Sequence, residues 1–317
     1  MAIRDSKNKR LFIVGCSYSK YAYPTYADIL GVDFDETINA AASGAGNTYI
    51  FNTAIHLLSK YEFTENDTVI VQWSGITRWD TIRGHDTYFQ TPGTLEHQDV
   101  IPLEVVDKHF NLVSEAYKLI NYVRSVKDVS RHLKCKFATF NMLDPWISLF
   151  YGEPYSTSFF NKDMDYINEY YPFEKLKETF NKVEALTSVE EYVWGVPLNR
   201  PQYFYEGPGK RQDETHPSTT QHLAFAKYID KELNLNGTNL YTEQVSEYVK
   251  KIEDVFCDPA LDFDKLAKKE KLEYHLFDYN STENPNVHLS VNPKKYPASL
   301  FNKKHYEYNN NMKTWKQ

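Results

Sequence analysis

Ser17 stands just past a short apolar run, Leu11-Phe12-Ile13-Val14, that stops abruptly at Gly15, and Asp213-Glu214-Thr215-His216-Pro217 lies far downstream. A serine hydroxyl is a weak nucleophile until a base takes its proton, and a histidine steered by a carboxylate is a common base. Ser17, His216 and Asp213 are therefore candidates for nucleophile, general base and orienting acid in acyl chemistry. Cys16 is an alternative nucleophile that the same histidine could serve. Only a fold can bring such distant residues together.

The elements that must do so are legible in outline. Four large apolar residues bounded by charge and by glycine suit a buried parallel strand, and open α/β sheets place ligands beyond the carboxyl ends of such strands. Pro24 to Leu30 reads as a short helix with its proline in the first turn. Thr37 to Ala42 reads as a second strand, and Ser43-Gly44-Ala45-Gly46-Asn47 is the turn after it. Ile50, Phe51, Ala54, Ile55, Leu57, Leu58 and Tyr61 recur at helical spacing beyond that turn. Asn47 is placed to be the N-cap of this helix, a duty that serine performs about as well. Alternatively, its amide points into a cleft.

Asp67 to Trp73 is the clearest strand, and Ser74-Gly75-Ile76-Thr77-Arg78-Trp79-Asp80 leaves its carboxyl end, where a second functional loop is expected. Residues 81 to 105 read as a long loop over the site. One helix is expected from Lys108 to Leu133, followed by a strand from Lys136 to Phe140. Alternating strands and helices imply a parallel sheet. Residues 145 to 210 are rich in Tyr, Phe, Pro and Asn, with one helix expected near 173 to 187, and read as an insertion that shapes a cleft. His216-Pro217 should open another helix, carrying Leu223, Phe225, Ala226, Ile229 and Leu233 on its core face. The catalytic domain is expected to span 1–235. The remainder, 236–317, reads as one amphipathic helix and a polar tail, either an arm for a protein partner or largely disordered.

Composition narrows the function. With 36 Lys and Arg against 43 Asp and Glu, the net charge of −7 gives no general attraction to nucleic acid or to an anionic membrane. The first ten residues are polar, and the apolar run after them is too short for a signal-peptide core or a membrane span, so cytoplasmic synthesis is expected. Cys16, Cys135 and Cys257 are too widely spaced for a CxxC metal pair and read as reduced thiols. No pair among His56, His85 and His222 has metal-ligand spacing beside acidic partners, so they read as surface or packing residues. Gly44-Ala45-Gly46 could cradle a phosphate, but Tyr49 stands where a dinucleotide fingerprint needs its third glycine. No cofactor or metal is expected.

Taken in order, Gly15-Cys16-Ser17-Tyr18-Ser19, Asn39 with Ser43-Gly44, Trp73-Ser74-Gly75, and Asp213-x-x-His216-Pro217 resemble the four blocks of the SGNH (GDSL-type) hydrolases. The resemblance covers roughly residues 10 to 233. It implies a flavodoxin-like three-layer α/β/α sandwich, with Ser17 as nucleophile, His216 as base and Asp213 as the third triad member. It also implies an oxyanion hole built on the backbone N–H groups of Ser17 and Gly44. Two positions depart from the family pattern. Cys16 replaces the aspartate of Gly-Asp-Ser, and Thr77 stands where the Gly-x-Asn of the third block should supply an amide donor. Asn47 is the candidate to replace that donor, with Ser74 and Arg78 as candidate substrate contacts. The arrangement of Trp73-Ser74-Gly75 and Arg78 is similar to a divergent, phage-encoded subgroup. The expected activity is hydrolysis of an ester, an O-acyl group on a carbohydrate, through an acyl-enzyme. The rival readings are an O-acyltransferase and an inactive scaffold or virion component.

Overall fold

The fold was described in a computed structural model, which places residues 8–21, 23–42, 44–83, 88–90, 102–142, 203–207, 210–213, 216–257 and 305–307. The expected helix near 173 to 187 and most of the cleft-shaping insertion lie outside the described residues. A parallel sheet is its centre, formed by β1 (Arg10–Val14), β2 (Glu36–Asn39), β3 (Asp67–Trp73) and β6 (Lys136–Asn141) in the order β6-β3-β1-β2. Every pairing is parallel, with Val14 beside Val71 and Ile13 beside Asn39. A three-residue strand from the tail, β9 (His305–Glu307), pairs in parallel with the free edge of β2.

All residues of β1 and β3 are buried. Successive side chains point to opposite faces, so burial at every position requires a covering layer on both. Two groups of helices supply the cover. In one, α2 (Asn47–Lys60) packs on α4 (Leu112–Ser130), with Phe51 and Tyr122 stacked at 4.3 Å. In the other, α1 (Tyr26–Leu30) packs on α5 (Thr219–Leu233), which packs on α6 (Glu243–Cys257). The start of the central strands is pinned by Arg10, whose guanidinium donates to both carboxylate oxygens of Asp67 at 2.9 and 3.0 Å.

Several boundaries differ from those the sequence suggests. Neither Pro24 nor Pro217 enters a helix. Thr25 and Ser218 cap α1 and α5 with complete capping boxes, closed by Asp28 and Gln221, and each proline sits one residue before its cap. The single helix expected from Lys108 is two. A helix α3 (Leu103–His109) stops at Phe110, and the extended Asn111 restarts the chain as α4 by accepting from Ser114 N. The loop expected from 81 to 105 contains an antiparallel hairpin, β4 (Thr81–Arg83) with β5 (Tyr88–Gln90), and the first turn of α3. A second hairpin, β7 (Tyr203–Gly207) with β8 (Lys210–Asp213), precedes His216.

The boundary expected at residue 235 is no break in packing. Beyond Asn234, which turns the chain with a φ of 48°, Asp33 accepts from the backbone N–H groups of Thr238, Asn239 and Leu240. The chain is thereby returned to the fold. Helix α6 then buries Val245, Val249 and Ile252, and its Glu253 accepts from Thr220 N at the start of α5.

Candidate active site

The strand order fixes where a cleft can form. The chain leaves β1 for β2 on one side and returns to β3 on the other, so the loops after β1 and β3 diverge at a switch point. Ser17 lies in the first of these loops and Ser74 in the second.

The Ser17 turn is closed by Cys16 C=O, which accepts from Ser19 N at 2.9 Å and Lys20 N at 3.2 Å. Its far side is held by the carbonyl of Ser19, which accepts from Asn39 Nδ2 at 2.8 Å and Thr25 Oγ1 at 2.9 Å. Beneath the turn runs a directed chain of hydrogen bonds. Ser19 Oγ donates to Gln72 Oε1, so Tyr26 Oη must be the donor in its 2.6 Å contact with Ser19 Oγ. Gln72 Nε2 donates to Cys16 Sγ at 3.0 Å, and that thiol donates to Met142 Sδ at 3.1 Å. Burial pushes the Tyr26 phenol well above its ordinary range, so this chain stays uncharged. Gly15 sits against it, and a Cβ there would collide with Ser19 Oγ and lie 3.1 Å from Gln72 Cβ.

Cys16 is therefore a core residue, fully buried and turned away from the loop's outer face. That removes it as the alternative nucleophile. Ser17 faces the other way, and its Oγ lies 2.8 Å from His216 Nε2. With the ring proton on Nδ1, Nε2 accepts the serine hydroxyl, which is the geometry of proton removal.

His216 is positioned largely by the serine's own loop. Tyr21 stacks on the imidazole at 4.1 Å and 19°, and Tyr18 meets it edge-on at 5.3 Å. Tyr23 Oη donates to Pro217 C=O at 3.0 Å, tying the histidine's segment to the same loop. On the other side, the Ser218 cap starts α5 at once and fixes the direction of the chain. Nothing in the spacing of these tyrosines marks them beforehand; their placement within six residues of Ser17 was the available signal. Asp213 closes β8 three residues before His216, and its side chain lies outside the described residues.

A second imidazole lies behind the first. His222, on α5, is 1 % exposed among the rings of Tyr18, Tyr23 and Tyr26, and its Nδ1 has no hydrogen-bond partner among the described residues. Burial, reinforced by His216, pushes it down to about 3, so it is neutral at any ordinary pH.

The turn after β2 meets the turn after β3 through three residues. Gly44 has a φ of 72°, the left-handed region that glycine enters without strain, whereas Ser43 is outside the described residues. Asn47 is not the N-cap of α2. The cap is Gly46, which has no side chain to offer, and Asp80 reaches across to replace it, accepting from Gly46 N and Tyr49 N, each at 2.7 Å. Burial pushes Asp80 up to about 7, while those two bonds and Arg78 pull it back. Asn47 instead grips the backbone of Ser74, accepting from its N–H at 2.8 Å and donating to its C=O at 3.1 Å. Its amide is thus committed to holding the Ser74 loop rather than reaching into the cleft as its placement in the sequence suggested. Arg78, half-buried, donates to Ala45 C=O at 3.2 Å and braces the same junction.

Among the described residues, no cluster of three or more His, Cys, Asp or Glu side chains could hold a metal ion, and no helix is long and apolar enough to cross a membrane. No protein-family model matches the chain, and neither curated proteins nor solved structures give a match.

Proposed function

We propose that this chain is a serine esterase of the SGNH type that removes an O-acyl group from a carbohydrate. The observation that carries the reading is the 2.8 Å contact between Ser17 Oγ and His216 Nε2 at the carboxyl end of a parallel sheet. The order β2-β1-β3-β6 matches the first four positions of the flavodoxin-like order 2-1-3-4-5 and supports the layer plan the resemblance implies. Carbohydrate as the substrate rests on the family's range and on the aromatic, polar insertion.

The chemistry runs in two balanced steps. Ser17 Oγ attacks the ester carbonyl as its proton passes to His216 Nε2, and the N–H groups of Ser17 and Gly44 receive the oxyanion. Asp213 orients the imidazole and stabilises its charge. Collapse breaks the bond to the sugar oxygen, which takes the proton from His216, and leaves the acyl group on Ser17. Water then attacks the acyl-enzyme with His216 again as base, releasing the carboxylic acid and free serine.

The test is hydrolysis of a small acetyl ester. Ser17→Ala should abolish turnover and Cys16→Ala should leave most of it. Folded wild-type protein without activity on acetylated esters, or the opposite pattern of variants, would sink the proposal.

A further inference from the structure

We propose that the Ser74 hydroxyl is the side-chain oxyanion donor of this site, an inference that rests on the serine-esterase reading above. Ser74 follows the last residue of β3, as Ser17 follows the end of β1 by three residues. The two strands pair with Val14 beside Val71, and the loops carrying Ser17 and Ser74 both leave the carboxyl end of the same parallel sheet.

Ser74 Oγ is buried and has no hydrogen-bond partner among the described residues. Every other polar group of that residue is satisfied, because Asn47 takes both its N–H and its C=O. The clamp has two consequences. The backbone N–H of Ser74 is spent and cannot itself serve an oxyanion, and the hydroxyl is left with rotation about one bond on a fixed base. A buried hydroxyl without a partner costs stability, and such groups in native proteins call for an explanation, a catalytic role among them. Ser17 is 2 % exposed and Ser74 1 %, so both hydroxyls lie in water-poor surroundings. When the ester carbonyl carbon becomes tetrahedral, its oxygen gains the charge that a preorganised hydroxyl in a water-poor site is suited to receive. Ser74 transfers no proton. It donates one hydrogen bond, and the donation strengthens only as charge develops.

A donor of this kind has a signature that a structural hydroxyl lacks. Ser74→Ala should lower kcat on a small acetyl ester by about 10²–10³-fold, the usual loss for one oxyanion donor, with KM changed by less than about threefold. Fluorophosphonate labelling of Ser17 should slow in parallel. The melting temperature should stay equal to that of wild type or rise, because the variant removes an unsatisfied polar group from the interior. A kcat within about threefold of wild type would overturn the proposal, and so would a fall of several degrees in melting temperature, or failure to fold, since either would mean that the hydroxyl serves the fold. Wild-type protein that neither hydrolyses the ester nor labels at Ser17 would overturn the esterase reading and this inference with it. An active, labelled wild type matched by Ser74→Ala would overturn this inference alone.

Discussion

Replacing His222 with leucine should change how the stability of the protein depends on pH, by an amount the structure sets. The imidazole is enclosed by three tyrosine rings, its Nδ1 is unpartnered, and burial holds it down to about 3. In the unfolded chain it titrates near 6.5. The folded protein therefore refuses a proton that the unfolded chain accepts. Stability from this residue is complete above pH 6.5 and drains away as pH falls toward about 3. The full difference is about 5 kcal/mol at about 1.4 kcal/mol per pH unit, and the part lost between pH 8 and pH 5 is about 2 kcal/mol. Leucine is close to histidine in volume and cannot titrate. Its packing cost is independent of pH, so it shifts the whole curve without tilting it. Urea denaturation of both proteins from pH 8 to pH 5 should show the variant gaining about 2 kcal/mol on wild type as the pH falls. Parallel curves would refute the reasoning, because they would mean that His222 is protonated equally in both states.

Three further substitutions test the junction between the loops. Asn47→Ser should cost about 2–4 kcal/mol, since serine is too short to reach the Ser74 backbone and leaves a buried N–H and C=O unpaired; a melting temperature equal to wild type would mean that the Ser74 backbone does not depend on Asn47. Asp80→Ala should cost about 1–2 kcal/mol through loss of the cap on α2. Asp80→Asn, which keeps an acceptor for Gly46 N or Tyr49 N, should recover most of it in the same thermal scans.

What could be read from the sequence was whatever is written locally. The parallel strands at Leu11 and Asp67 announced themselves by apolar runs with sharp ends, and the helix after Gly46 by its period. Helix starts were misplaced by two or three residues because Pro24 and Pro217 suit a first turn, yet Thr25 and Ser218 each had a partner three residues on that could close a capping box. The packing across residue 235 was hidden for a different reason. Asp33 and the backbone of residues 238 to 240 are brought together by a contact across two hundred positions, and no periodicity encodes it. The site divides in the same way. Ser17 and His216 are chemical types in telling contexts. The duties of Asn47 and Asp80 depend on which loop lies opposite them, and a missing side chain at Gly46 was the faint sign that a remote cap was needed. Cys16 looked reactive because it adjoins the serine, but its side chain points into the core, where Gln72 and Met142 claim its sulfur.

Esterase activity in this fold requires Ser17 to be an activated nucleophile. Incubation of the folded protein with a fluorophosphonate, followed by peptide mass mapping, should find one adduct, on Ser17, formed far more slowly in His216→Ala and absent from Ser17→Ala. A folded wild-type protein that forms no adduct, or carries it on another residue, would contradict the account.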